Sequence, residues 1–166
     1  MSYTTPKTWA YKEVLSSADM NTYITDNIID LHNNGVLGYA EITNIFSTTA
    51  TPTVTDVTNL AVTVTVPGGG RRIKITVFAE YMNSSATAGT DIVAYIREGT
   101  TTLTRILANT STAGYAVPVN MVYVTAATAG SHTYKVSISQ NAAGTLQLVA
   151  AATYPAFILV EYLNTV

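Results

Sequence analysis

The spacing of apolar residues changes once along this chain, near Tyr39, and that change limits what the chain can fold into. Before it, Met20, Ile24, Ile28 and Leu31 follow one another at steps of four, four and three, which places them on a single stripe of an α-helix. After it, apolar residues recur at every second position, as in Leu-Ala-Val-Thr-Val-Thr-Val from Leu60 to Val66, the period of a strand with one buried face. One amphipathic helix followed by an all-β body is therefore expected.

Ser16-Ser17-Ala18-Asp19 reads as the helix start, with a serine hydroxyl to cap free backbone N–H groups and Asp19 near the positive end of the dipole. Tyr23 lies beside the stripe, and Asn33-Asn34-Gly35 closes the helix. Residues 1–16 are polar and irregular and read as an arm carrying Trp9 and Tyr11 as large apolar groups. In the body, Leu60–Val66 and Arg72–Val77 flank Pro67-Gly-Gly-Gly70, which predicts a β-hairpin. Further strands are expected at 43–49, 91–97, 101–108, 116–125, 132–139, 145–151 and 156–163. Some nine short strands separated by turn residues indicate an antiparallel sandwich or barrel. The division is then 1–38 for arm and helix and 39–166 for one β-sandwich domain.

Charged residues make up 11% of the chain and its net charge is -2. Its eight Lys and Arg residues are scattered apart from Arg71-Arg72, so the clustered basic charge of a nucleic-acid interface is missing. There is no Cys, which excludes disulfides and thiolate metal sites. No apolar run reaches the length of a membrane span, and the first residues lack the pattern of a secretory signal, so a soluble protein that is made in the cytoplasm and not exported by a secretory signal is expected. Low charge with abundant Thr, Ala, Val and Tyr suits a surface covered by neighbours.

Catalytic patterns are weak. His32 sits at the helix end and His132 at a strand start, and Asp30 with His32 is spaced wrongly to share a helix face, so no metal or cofactor is assigned. Asp26 and Asp30 share a helix face but read as solvated charges. Pro67-Gly-Gly-Gly-Arg-Arg72 lacks the Lys-Ser/Thr and following helix of a phosphate loop, and serines 84, 85, 131, 137 and 139 lack a Gly-x-Ser-x-Gly elbow. A hydrolase would need two acids in one cleft, with Glu80 and Glu98 as the pair to watch; no enzyme is expected. Among eleven tyrosines, Tyr81, Tyr115 and Tyr154 lie next to turns and are candidates for surface or glycan contact.

The segment Thr5-Pro-Lys-Thr-Trp-Ala-Tyr-Lys-Glu-Val-Leu-Ser-Ser-Ala-Asp-Met-Asn21, with Ile24-Thr-Asp-Asn27, resembles the N-terminal motif of small tailed-bacteriophage virion proteins, where Thr-Pro-Arg-Thr-Trp and a Gly-Glu-Val step precede a helix. Lys7 stands for the arginine, and Lys12-Glu13-Val14 stands where Gly-Glu-Val is usual. Gly38-Tyr-Ala-Glu-Ile42, Val66–Ile75, Ala129–Lys135 and Pro155–Glu161 are similar to later segments of those proteins, so the resemblance spans nearly the whole chain. It implies a minor tail or head decoration protein on the virion surface, docked on major capsid or tail proteins through Trp9, Tyr11, Met20, Tyr23, Ile24, Ile28 and Leu31. Ala156-Phe-Ile-Leu-Val-Glu-Tyr-Leu163 is also similar to the closing strand of the tumour-necrosis-factor and C1q jelly rolls. That likeness implies a ten-stranded jelly roll and a homotrimer with contacts at Phe157, Leu159 and Tyr162. The alternative expectation is a carbohydrate- or receptor-binding module for the host cell wall.

Overall fold

The computed structural model describes residues 16–19, 35–66 and 72–163. Ser17–Asp19 is helical, where the capping pattern places a helix start. Trp9, Tyr11, Met20, Tyr23, Ile24, Ile28 and Leu31 lie outside the described residues.

The body is a jelly-roll-like β-sandwich of two antiparallel sheets. In chain order the described strands are β1 (Val36–Ile42), β2 (Phe46–Thr48), β3 (Thr55–Val66), β4 (Arg72–Ser84), β5 (Thr90–Glu98), β6 (Thr101–Thr110), β7 (Val117–Ala126), β8 (Gly130–Gln140), β9 (Leu146–Val149) and β10 (Ala156–Leu163). The first sheet contains β1, β10, β4, β9 and β2 in that order, with β7 on the other side of β4; the second runs β3-β8-β5-β6. β4 is the hub: one edge pairs with β10 along Arg72–Phe78 and with β9 along Tyr81–Ser84, while the other pairs with β7.

Alternation explains the core. Val62, Val64 and Val66 point inward from β3, Ile73, Ile75 and Val77 from β4, and Ile158 and Val160 from β10, all almost fully buried. Tyr134 and Ile138 of β8 and Ile92 and Ile96 of β5 join the β3 valines on the inner face of the second sheet, opposite the residues of β4 and β10. Gly38 is required where β1 crosses β3, because a Cβ there would lie 2.4 Å from Val62 Cγ2 and 2.8 Å from Val64 Cγ1.

Two sequence expectations need correction. β3 and β4 do not form a hairpin: β3 pairs with β8 in one sheet, and β4 pairs with β10, β7 and β9 in the other. An alternating strand records that one face is buried, and a strand in either layer satisfies that equally well. The expected strand at 43–49 is the shorter β2, Phe46–Thr48, and it is preceded by a strand outside the expected set, β1, which starts at Val36 inside the segment assigned to arm and helix.

Candidate interaction surfaces

The outward faces of the two sheets differ in chemistry. On the first, cross-strand registers build two rows. One runs Tyr39, Leu159, Thr76, Val122, and the next runs Glu41, Phe157, Phe78, Asn120. Phe78 stacks on Phe157 with centroids 5.7 Å apart, and Tyr39 lies 5.9 Å from Phe157. Tyr39 is 49% exposed, Phe78 38% and Val122 56%, with Val124 also exposed. Two of the charged side chains beside this patch, Lys74 and Glu161, are compensated within it, while Arg72 and Glu80 on the same face of β4 are exposed. Lys74 pairs with the directly opposed Glu161 at 2.8 Å, and the Tyr39 hydroxyl donates to Glu41, which holds that phenol above its ordinary pKa, helped by burial and by the carboxylate charge.

The second sheet turns a polar face outward. Asp56, Ser137, Tyr95 and Arg105 form one row, with Lys135 and Arg97 in the next. Lys135 Nζ donates to Asp56 Oδ2 at 2.5 Å, Ser137 Oγ donates to Asp56 Oδ1 at 2.7 Å, and Arg97 approaches the same carboxylate at 3.5 Å. Burial pushes the Asp56 carboxyl up, but these hydrogen bonds and the two positive charges outweigh it and leave the group below its ordinary value. Leu107 is the large exposed apolar residue on this side.

At one end of the sandwich His132 bridges β5 and the β7–β8 turn. Its Nδ1 lies 2.6 Å from Glu98 Oε1 and its Nε2 lies 2.9 Å from the Thr128 carbonyl, with the ring stacked on Tyr134. Both nitrogens face acceptors, which only the doubly protonated ring satisfies in full. The Glu98 hydrogen bond, then the Thr128 carbonyl, raise its pKa against the opposing effect of burial. Tyr134 is almost fully buried and its hydroxyl has no hydrogen-bond partner. Burial, with the nearby Glu98, pushes this phenol up to about 12.

The opposite end is held by a polar lock that sequence reasoning missed. Buried Ser84 donates through Oγ to Gln140 Oε1 at 2.5 Å and accepts from the Ala86 N–H at 3.0 Å, while Gln140 Nε2 donates to the Gly144 carbonyl at 2.6 Å. Outside this lock lies a cavity of about 500 Å³ lined by Asn83, Ser84, Ser85, Ala113, Gly114, Thr145 and Gln147. Asn83-Ser-Ser reads in sequence only as a turn, and nothing in it announces a cavity wall.

The expected site residues separate accordingly. Phe157 and Leu159 share the outward face of β10, but Tyr162 is on the other side of the strand and packs against the core. Tyr81 is half-buried on β4 opposite Val149, Tyr115 is exposed beside the Gly114 lip, and Tyr154 is exposed in a turn bridged to Ala151. Glu80 and Glu98 stand on strands of different sheets, and Glu98 is engaged by His132. Among the described residues no group of three or more His, Asp or Glu side chains is arranged to hold a metal, and no helix is long and apolar enough to cross a membrane.

No protein-family model matches the sequence, and no curated protein matches it significantly. Solved structures similar to this chain include the Eiger TNF of S. frugiperda, at 14% identity over 80% of this chain and 95% of that one with a TM-score of 0.41. They also include the D431N mutant VP2 protein of infectious bursal disease virus, at 11% identity over 75% of this chain and 35% of that one with a TM-score of 0.40. A third is a carbohydrate-binding module of Cellvibrio mixtus lichenase 5A in complex with cellotriose, at 16% identity over 78% and 99% with a TM-score of 0.35. Likeness at this level carries no functional argument.

Proposed function

We propose that this chain is a non-enzymatic structural component of a bacteriophage virion surface, a head decoration or minor tail protein whose sandwich self-associates as a trimer. The N-terminal arm and helix dock on a capsid or tail protein, and the resemblance of residues 5–27 to phage virion proteins supports that assignment. The observation that carries self-association is the contrast between the faces. One sheet presents Tyr39, Phe78, Phe157, Leu159 and Val122, with Lys74 and Glu161 paired beside them, and the other presents a polar, hydrogen-bonded surface. A face of this kind loses little by desolvation against a copy of itself and removes apolar area from water. In a closed assembly the polar faces then point outward.

Sedimentation of the purified chain at micromolar concentration tests this reading. Three times the chain mass is expected, and Phe157→Asp should give a folded monomer. A wild-type monomer would overturn the trimer. Deleting residues 1–35 should leave a folded domain that no longer joins particles, and retained incorporation would reject the docking role of the arm. Electron microscopy of whole particles then assigns the density to head or tail.

A further inference from the structure

We infer that the cavity beside the Ser84–Gln140 lock is a binding site for a neutral saccharide. Its wall is built by register: Asn83 on β4 stands directly opposite Gln147 on β9, and Gln147 is opposite Ser47 on β2, so two carboxamides and a hydroxyl lie in one row across three strands. Gln147 Nε2 donates to Ser47 Oγ at 3.2 Å, which orients the amide and leaves its carbonyl oxygen to accept from a ligand. The Ser85 hydroxyl accepts from the Thr145 N–H at 2.8 Å, so its own proton is available to donate.

The other wall is fixed by backbone. The Gly114 N–H donates to the Ser84 carbonyl at 2.7 Å, and the Ser85 N–H to the Thr145 carbonyl at 3.0 Å, which pins the β6–β7 and β8–β9 connections around the opening. Among the described residues every lining side chain is uncharged. Amides and hydroxyls that both donate and accept match the donor-acceptor character of sugar hydroxyls, and the lining offers no cation to offset the charge of a phosphate or carboxylate. Tyr81 lies two residues from Asn83 on the same face of β4, and exposed Tyr115 follows the Gly114 lip. Both stand next to the lining residues rather than among them, and are the aromatic groups nearest in sequence to the site. The site lies apart from the Phe78–Phe157 patch in the strand register, so the inference does not depend on the trimer.

Saturation-transfer NMR with the full chain and methyl β-glucoside, methyl β-galactoside, N-acetylglucosamine and N-acetylneuraminic acid as probes tests it. At least one neutral sugar should give transfer at millimolar concentration, with amide shifts confined to residues 83–85, 113–115 and 145–147. Asn83→Ala combined with Gln147→Ala should weaken binding at least tenfold while leaving the sedimentation behaviour of the wild type. Silence from all neutral probes, transfer to N-acetylneuraminic acid alone, or binding unchanged in the double variant would overturn the inference. If the double variant does not fold, the location of the wild-type amide shifts decides alone, and shifts elsewhere reject the site.

Discussion

His132 is the side chain whose surroundings make the sharpest demand on its protonation. Its two nitrogens face the Glu98 carboxylate and the Thr128 carbonyl, so the folded state favours the charged ring and raises its pKa above the ordinary 6.5. A group with a raised folded pKa adds stability that is fully present below the unfolded pKa and is lost as pH rises through the folded one. Urea midpoints measured from pH 5 to pH 9 should therefore fall above about pH 6.5, and His132→Gln should flatten that slope. Asp56 works in the opposite sense. Its lowered pKa adds stability above the ordinary 3.8 that disappears as pH falls below it, so Asp56→Asn should remove part of the acid-side loss. Tyr134 gives a third test. Its buried hydroxyl lacks a partner, so Tyr134→Phe should leave stability unchanged or raise it by about 1 kcal/mol. None of these pairings was visible in sequence, because Glu98, Thr128 and His132 meet only when β5 and β8 pair.

Among the elements, β4 has the largest structural role, since it pairs with β10, β9 and β7 and sends Ile73, Ile75 and Val77 into the core. Ile75→Ala should cost about 2–5 kcal/mol in chemical denaturation, while Thr76→Ala, on the outward face of the same strand, should cost under about 1 kcal/mol. β1 is held by closeness. At Gly38 a methyl group would strike Val62 and Val64, whose branched side chains are themselves buried, so Gly38→Ala should destabilise by about 1–3 kcal/mol. Strand positions were largely legible: β5 through β10 lie within a few residues of their expected ranges. The strand partners of β3 and β4 were not, because both strands alternate for the same reason although they belong to different sheets.

For the molecule as a whole, the difference between an aromatic outer sheet and a polar one is the feature with consequences. If the aromatic face associates, folding and assembly are linked, and the apparent melting temperature should rise with protein concentration. Phe78→Lys should abolish that dependence without changing the far-ultraviolet spectrum, since Phe78 is on the surface of its strand. The sequence pointed to Phe157 and Leu159 through a family likeness, but it grouped Tyr162 with them. Counting by twos along β10 from Phe157 reaches Glu161 and passes over Tyr162, so the parity of the strand already held the correction.

From sequence alone the chain determined its class and its inner surface: a period of two, turn residues at short intervals and branched apolar side chains commit residues from β1 onward to strands with one buried face. Tertiary structure decided which strands are neighbours, which polar groups meet at the ends of the sandwich and which outer face is apolar. The reason is physical. Alternation is local and is written in adjacent residues, whereas the His132–Glu98 contact and the Ser84–Gln140 lock join positions 34 and 56 residues apart and, like the pairing of β1 with β10, arise only when the chain closes on a common core.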